Sequence, residues 1–391
     1  MKEAFKGLKV IDLCRSYPPA FAGMFLADFG ADVIRIDTPD SRNPVPFEGG
    51  PERFAAYYAP DRNKRGFSLN LKSKEGLDIF FKLAKGADVI IENSTPGTME
   101  KLKISYTTLR TVNPKIIYCS VSGYGQTGPY KRLPGHDSNY LSISGALGLI
   151  GAKEGPPISP SNLVADMAGG GMHSLAAILI ALLERENSRK GQYIDISYTD
   201  AVFSMLTFEV TIYLLTGIVP KRGKTWRTGS EPCYSSYETR DGKYINIACI
   251  EHRLWENLCR ALECEQFIPF EWSKDDKKKE EIFSFFTKTF LTKTRDEWWE
   301  WAKDKDIALT PVLDLNEALN DPHLIHREMI LDLEYLGQGK IKQTGFPLKL
   351  SETPAKFKRF SPLPGEHTLE ILKELGYDDQ QIGNFKKNGV I

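Results

Sequence analysis

Long apolar runs are missing from this sequence: no stretch approaches the roughly 18 consecutive apolar residues of a membrane span. The opening Met1-Lys2-Glu3-Ala4-Phe5-Lys6 leads straight into an amphipathic segment, without the apolar run of a signal peptide. No membrane partner is therefore expected, and a cytoplasmic location is. An excess of positive charge is also missing, with Lys+Arg and Asp+Glu at 51 each, which argues against a dedicated nucleic-acid partner. Cysteine is sparse, and Cys14, Cys119, Cys233, Cys249, Cys259 and Cys264 form neither a C-x-x-C pair nor a regular framework. Reduced, buried thiols are expected, with no metal site. The loops are read as carrying neither a nicotinamide nor an ATP fingerprint.

What is present suffices for a proper core: 391 residues, 41% hydrophobic and 26% charged, allow two domains or one with a large insertion. Leu8–Leu13 reads as a buried strand, followed by a loop with Pro18-Pro19, an apolar helix from Ala20 to Phe29 and a strand at Asp32–Ile36. The pattern recurs with a helix from Gly76 to Lys85 and strands at Ala87–Ile91 and Lys115–Val121. Strand, helix, strand at this spacing implies parallel pairing and an α/β sheet, whose ligands sit beyond the carboxyl ends of the strands. An apolar helix is expected from Ala165 to about Glu186, then a strand at Gln192–Ser197 and a second apolar helix from Asp200 towards Leu215. Beyond a basic linker from Pro220 to Glu231, Tyr234–Glu238 and Tyr244–Ala248 form a hairpin across Asp241-Gly242. The domains are therefore drawn as 1–220 for a large α/β domain, 221–343 for a small α+β domain, and 344–391 as a return to the large one.

The stretch from Gly123 to Gly171 carries the chemistry. Gly135-His136-Asp137 offers an imidazole, a ready proton carrier near neutrality. Asp166 enters an apolar helix near its start, where the helix dipole favours the ionised carboxylate. Gly169, Gly170 and Gly171 follow within the first turns. Each costs up to about 1 kcal/mol relative to alanine, which is easier to understand if a backbone or ligand needs close approach. Glu251 stands at another helix start. Lys64, Arg65, Lys72, Lys101, Lys131 and Arg132 lie around the loops and are candidates for holding phosphates.

Several of these motifs recur together in one family. Leu8–Pro39, Asn63–Lys72, Ser122–Gly128, Gly135–Tyr140, Asn162–Gly171 and Glu370–Tyr377 resemble the class III CoA-transferase family over nearly the whole chain. Gly-His-Asp followed about 30 residues later by Asn-Leu-x-x-Asp is similar to the α-methylacyl-CoA racemase branch. The resemblance implies a Rossmann-like parallel sheet in a large domain plus a smaller α+β domain, in an interlocked homodimer. It implies His136 and Asp166 as the two bases that exchange the α-proton of an acyl-CoA, supported by Glu251 from the small domain of the other subunit. CoA is then part of the substrate, and no cofactor is expected.

In the transferase branch the same aspartate is a nucleophile, so Asp166 serves either chemistry, while His136 favours the racemase. The resemblance further implies CoA contacts at Leu69, Asn70, Leu71, Lys72, Asn93, Ser94, Thr95, Lys101, Gly135, Asp137 and Tyr140. The chain departs from the family at Thr38 and Thr95, where arginines commonly hold the nucleotide end of CoA; Lys64, Arg65 or Lys101 are the expected substitutes.

Overall fold

A computed structural model describes the chain except residues 1, 16, 41–54, 56–57 and 336–338. The chain forms two compact units. The first comprises Met1–Ser144, Pro160–Leu206 and Glu328–Ile391; the second comprises Gly145–Ser159 and Thr207–Arg327. The divisions drawn from sequence at 220/221 and 343/344 thus fall instead at 206/207 and 327/328. The apolar run read as one helix is two, Tyr198–Met205 and Thr207–Thr216, and hydrophobic periodicity does not reveal a break between equally apolar halves.

The first unit is built on six parallel strands: β1 (Lys9–Asp12), β2 (Asp32–Asp37), β3 (Arg65–Ser68), β4 (Val89–Glu92), β5 (Ile117–Ser122) and β6 (Tyr193–Ser197). Their order is β3-β2-β1-β4-β5-β6, the doubly wound arrangement whose direction reverses between β1 and β4. Central strands read as continuous apolar runs because both faces are covered. Ile11, Ile34, Phe67 and Ile90 form one core with Ile79 and Phe80 of the Lys74–Lys85 helix and with Ile371 and Leu372 of the Thr368–Glu374 helix.

Three local expectations are corrected. Pro18 and Pro19 lie inside the Tyr17–Asp28 helix, at its first positions, where a missing N–H costs nothing and the ring pre-sets φ. The glycine spacing of a dinucleotide loop does occur, at Gly123, Gly125 and Gly128, but it follows the fifth strand and leads into turns, so no helix N-terminus faces a pyrophosphate there. Leu163–Ser188 is helical over 26 residues and apolar enough to cross a membrane, although no run of consecutive apolar residues announced it. Leu175, Ile178 and Ala181 on one side are buried, while Ile180 and Leu183 are exposed.

Asp61-Arg62-Asn63-Lys64-Arg65 tie the last sixty residues to this sheet. Lys64 is fully buried, its ammonium 2.7 Å from both Asp12 and Asp61. Arg35 reaches Asp61 at 2.8 Å and Asp37 at 3.0 Å. Arg62 clasps Asp28 at 2.7 Å and donates to the Thr344 carbonyl; Asn63 accepts from the Lys358 and Arg359 amides. Arg65 bonds Asp32, Glu370 and Glu374. Burial alone would raise the Asp61 carboxyl, yet Lys64 and Arg35 hold it below its ordinary range.

The second unit carries an antiparallel sheet of β7 (Tyr234–Glu238), β8 (Tyr244–Ala248) and β9 (Leu309–Pro311). Gly242, at φ 72°, supplies the left-handed turn between β7 and β8. Trp255, Phe286, Phe290 and Trp298 pack beneath the sheet from the His252–Ala261, Asp276–Phe290 and Arg295–Ala302 helices. All six cysteines are unbridged.

Candidate active site

Asp166 does not sit on an ordinary α-helix. Leu163–Met172 is a ten-residue π-helix, opened by the Met167 N–H bonding the Asn162 carbonyl at 3.1 Å, and it runs on into the α-helix His173–Ser188. π-helical geometry is rare beyond single turns and gathers at functional sites. The glycine triplet explains how it packs. A Cβ on Gly170 would lie 2.1 Å from the Tyr198 ring, and one on Gly171 would lie 3.0 Å from the Pro18 carbonyl and 3.1 Å from Phe21. The glycines thus let two neighbouring helices close on the turn that carries Asp166.

His136 precedes the Asp137–Ser144 helix. Its N–H bonds the Asn139 side chain at 3.0 Å and its carbonyl accepts the Asn139 N–H at 2.9 Å, which fixes the backbone and leaves the residue exposed. Asp137 is buried, and its Oδ2 accepts the Asp166 N–H at 2.9 Å. Through this oxygen the carboxylate clips the two helices together, while its Oδ1 is buried without a hydrogen-bond partner among the described residues. Tyr140 stacks on Tyr198 at 5.0 Å, and its hydroxyl donates to the Gly135 carbonyl.

The structure so brings together His136, Asp137, Tyr140 and Asp166. The dipole argument predicted an easily ionised Asp166, and the finding is the reverse. Burial, then the neighbouring Asp137 carboxylate, push Asp166 up to about 6, with His136 pulling the other way. A carboxyl that exchanges protons near neutrality is suited to general acid–base chemistry. Burial also raises Asp137, against the backbone N–H groups of Asp166 and Ala165.

Glu251 belongs to the second unit, as the residue before the His252–Ala261 helix; it is exposed and its side chain caps nothing. Of the expected CoA contacts, Leu69 is completely buried and has only its backbone to offer. The Asn70 amide is spent on the Gly389 carbonyl and its oxygen on the Lys72 N–H. Leu71 packs against the core, while Lys72, Thr95 and Lys101 are exposed. Asn93 accepts the Arg15 N–H at 2.9 Å, bridging the loops after β1 and β4 where the strand order reverses, and the Ser94 N–H bonds Glu92 at 2.7 Å.

Lys64 and Arg65 cannot replace the family arginines, because both are buried in ion pairs. Arg15 and Lys72 are exposed instead, and both lower the carboxyl of Asp40, which the Thr38 hydroxyl holds down first. Sequence reasoning missed Arg15, although it directly follows a strand end beside the crevice. It also missed Tyr17 and Tyr198, the phenols near Asp166. Tyr17 had a signal: a proline pair marks a helix start as readily as a loop.

Comparison with known proteins agrees with this architecture. The model of CoA-transferase family III matches residues 5–368. Alpha-methylacyl-CoA racemase from Homo sapiens is 35% identical over 99% of this chain and 97% of its own length. Succinyl-CoA:glutarate CoA-transferase, also from Homo sapiens, is 29% identical over 99% of this chain and 89% of its own. A crystal structure of a CAIB/BAIF family protein from Brucella suis superposes with a TM-score of 0.81 at 28% identity, over 96% of this chain and 100% of that one. With the doubly wound sheet, these matches establish that the chain is an enzyme of CoA-transferase family III.

Proposed function

We propose that this protein is a racemase or epimerase of 2-substituted, typically 2-methyl-branched, acyl-CoA thioesters. The observation that carries the reading is Asp166, held at about 6 by burial and coupled electrostatically to the exposed His136. One group removes the α-proton from one face, leaving a thioester enolate; the other, already protonated, delivers a proton to the opposite face. In the reverse direction the roles exchange, so protons balance over a turnover. Backbone N–H groups near Asp166 would stabilise the enolate oxygen; the Asp166 N–H itself is committed to Asp137.

The cations offered to the CoA phosphates are Arg15, Lys72 and Lys101, all exposed. Glu251 is assigned to support His136 of a second copy in an interlocked homodimer. Exposed apolar side chains speak for such an assembly: Leu214 and Leu215 are 74% and 81% exposed, and Ile180 and Leu183 68% and 72%.

The test is to incubate one enantiomer of a 2-methylacyl-CoA with the protein in D₂O. Deuterium should enter the α-position with inversion, and His136→Ala should slow this by about 10²–10⁴-fold. Unchanged exchange in that variant refutes the two-base role. The transferase alternative, favoured by the resemblance to the glutarate transferase, predicts no exchange without a carboxylate acceptor and a borohydride-trappable adduct on Asp166.

A further inference from the structure

The second unit contains a groove that no step of the proposed reaction uses. It has a volume of about 250 Å³ and lies between the Thr207–Thr216 helix and the segment that follows it. Phe208 and Ile212, one helical turn apart, give it one apolar wall, and Ile218 and Trp226 give it another. Leu214 and Leu215, the most exposed apolar side chains of the same helix, are not part of its lining. The surface offered to a second copy and the surface that makes the groove are therefore different.

The rim is charged, and one-sidedly. Lys221, Lys224 and Arg227 line it against a single acid, Glu209. Neither lysine ammonium has a partner among the described residues. The Arg227 guanidinium carbon stands 3.8 Å from the centre of the Phe208 ring and 4.7 Å from that of Trp226. Its approach to Glu209 is 3.9 Å, too long for a hydrogen bond, so among the described residues its N–H groups are uncommitted. The turn that carries it is fixed: Thr225 and Thr228 form a capping box around Trp226–Thr228, and the Trp226 ring meets Tyr234 edge-on at 5.4 Å and Trp272 at 5.9 Å. A guanidinium held by aromatic rings with its donors free is arranged to take a carboxylate in two parallel hydrogen bonds.

We infer that this groove binds a monocarboxylate with an apolar body, its carboxylate on Arg227 and its carbon chain between Phe208, Ile212, Ile218 and Trp226. At roughly 30 Å³ per group, a water's share of the liquid, the groove admits about eight non-hydrogen atoms, which selects a chain of medium length. Three cations against one acid favour an anion, and the apolar walls disfavour a bare one such as phosphate. Every lining residue belongs to the second unit, so the inference is independent of which reaction Asp166 serves.

The test is calorimetric titration of the full-length protein with octanoate in the presence of excess CoA, which occupies any CoA site. Wild type should bind octanoate saturably. Arg227→Gln should weaken binding about 10- to 100-fold, because a charge-assisted pair is lost. Ile212→Glu, which sets an acid among the apolar walls, should abolish it. Octanol and acetate, each lacking one half of the ligand, should bind at least about tenfold more weakly. Absence of saturable binding to wild type, as when a second copy covers the groove, overturns the inference. Unchanged affinity in correctly folded Arg227→Gln or Ile212→Glu overturns it too, as does octanol or acetate binding as tightly as octanoate.

Discussion

Two clusters of charge in the same unit follow opposite rules. Around Lys64 and Arg35 each ionised group named is matched by an opposite one: Asp12, Asp61 and Asp37 at 2.7–3.0 Å, most of them nearly inaccessible to water. Around Asp166 the neighbouring carboxylate is another acid, Asp137, and the one cationic candidate among the described residues, His136, is exposed. Matched buried charges hold the chain together; an unmatched, half-buried acid is poised to gain or lose a proton. The difference teaches that it is the partners, not the residue types, that separate scaffold from chemistry in this protein.

The comparison breaks first at Lys64. Lys64→Ala leaves Asp12 and Asp61 without their cation and is expected to cost about 3–5 kcal/mol in urea unfolding, while Lys64→Met should cost as much or more wherever the two acids stay charged. A smaller change of opposite sign is expected at Asp166. A raised carboxyl contributes stability below the ordinary range near 3.8 and loses it as pH climbs through about 6. Asp166→Asn should therefore melt about 1–3 °C above wild type at pH 8 and show no gain at pH 4, while abolishing exchange. Asp61 has the reverse sign: its contribution is present at neutral pH and fades as pH drops through its depressed value. The smallest effect belongs to Glu370, whose side chain is 53% exposed opposite Arg65; Glu370→Ala should cost less than about 1 kcal/mol, checked by the same unfolding curves.

The sheet was legible wherever burial on both faces makes a strand uniformly apolar, as in β1, β2, β4 and β5, and the β7–β8 hairpin was announced by Asp-Gly. β3 was not, because Arg65-Gly66-Phe67-Ser68 has neither alternation nor an apolar run, and its charged neighbours looked like a phosphate site. Lys64 and Arg65 were misjudged for the same reason: a sequence shows a positive charge but not the acids that distant segments bring to it. His136 and Asp166 stood out through their motifs, whereas the π-helical turn and the raised carboxyl depend on Tyr198, Phe21 and Asp137, which only packing assembles.

The clasp between Asp61–Arg65 and the carboxyl-terminal segment has a consequence for biosynthesis. Asn63 waits for Lys358 and Arg359, separated from it by 295 and 296 positions, and Arg62 for Thr344, 282 positions on. At roughly 5–20 residues per second, the ribosome needs on the order of 15–60 seconds to supply those partners. Until then the nascent sheet carries buried cations and amides short of partners, which makes this interval the one in which a chaperone would matter most.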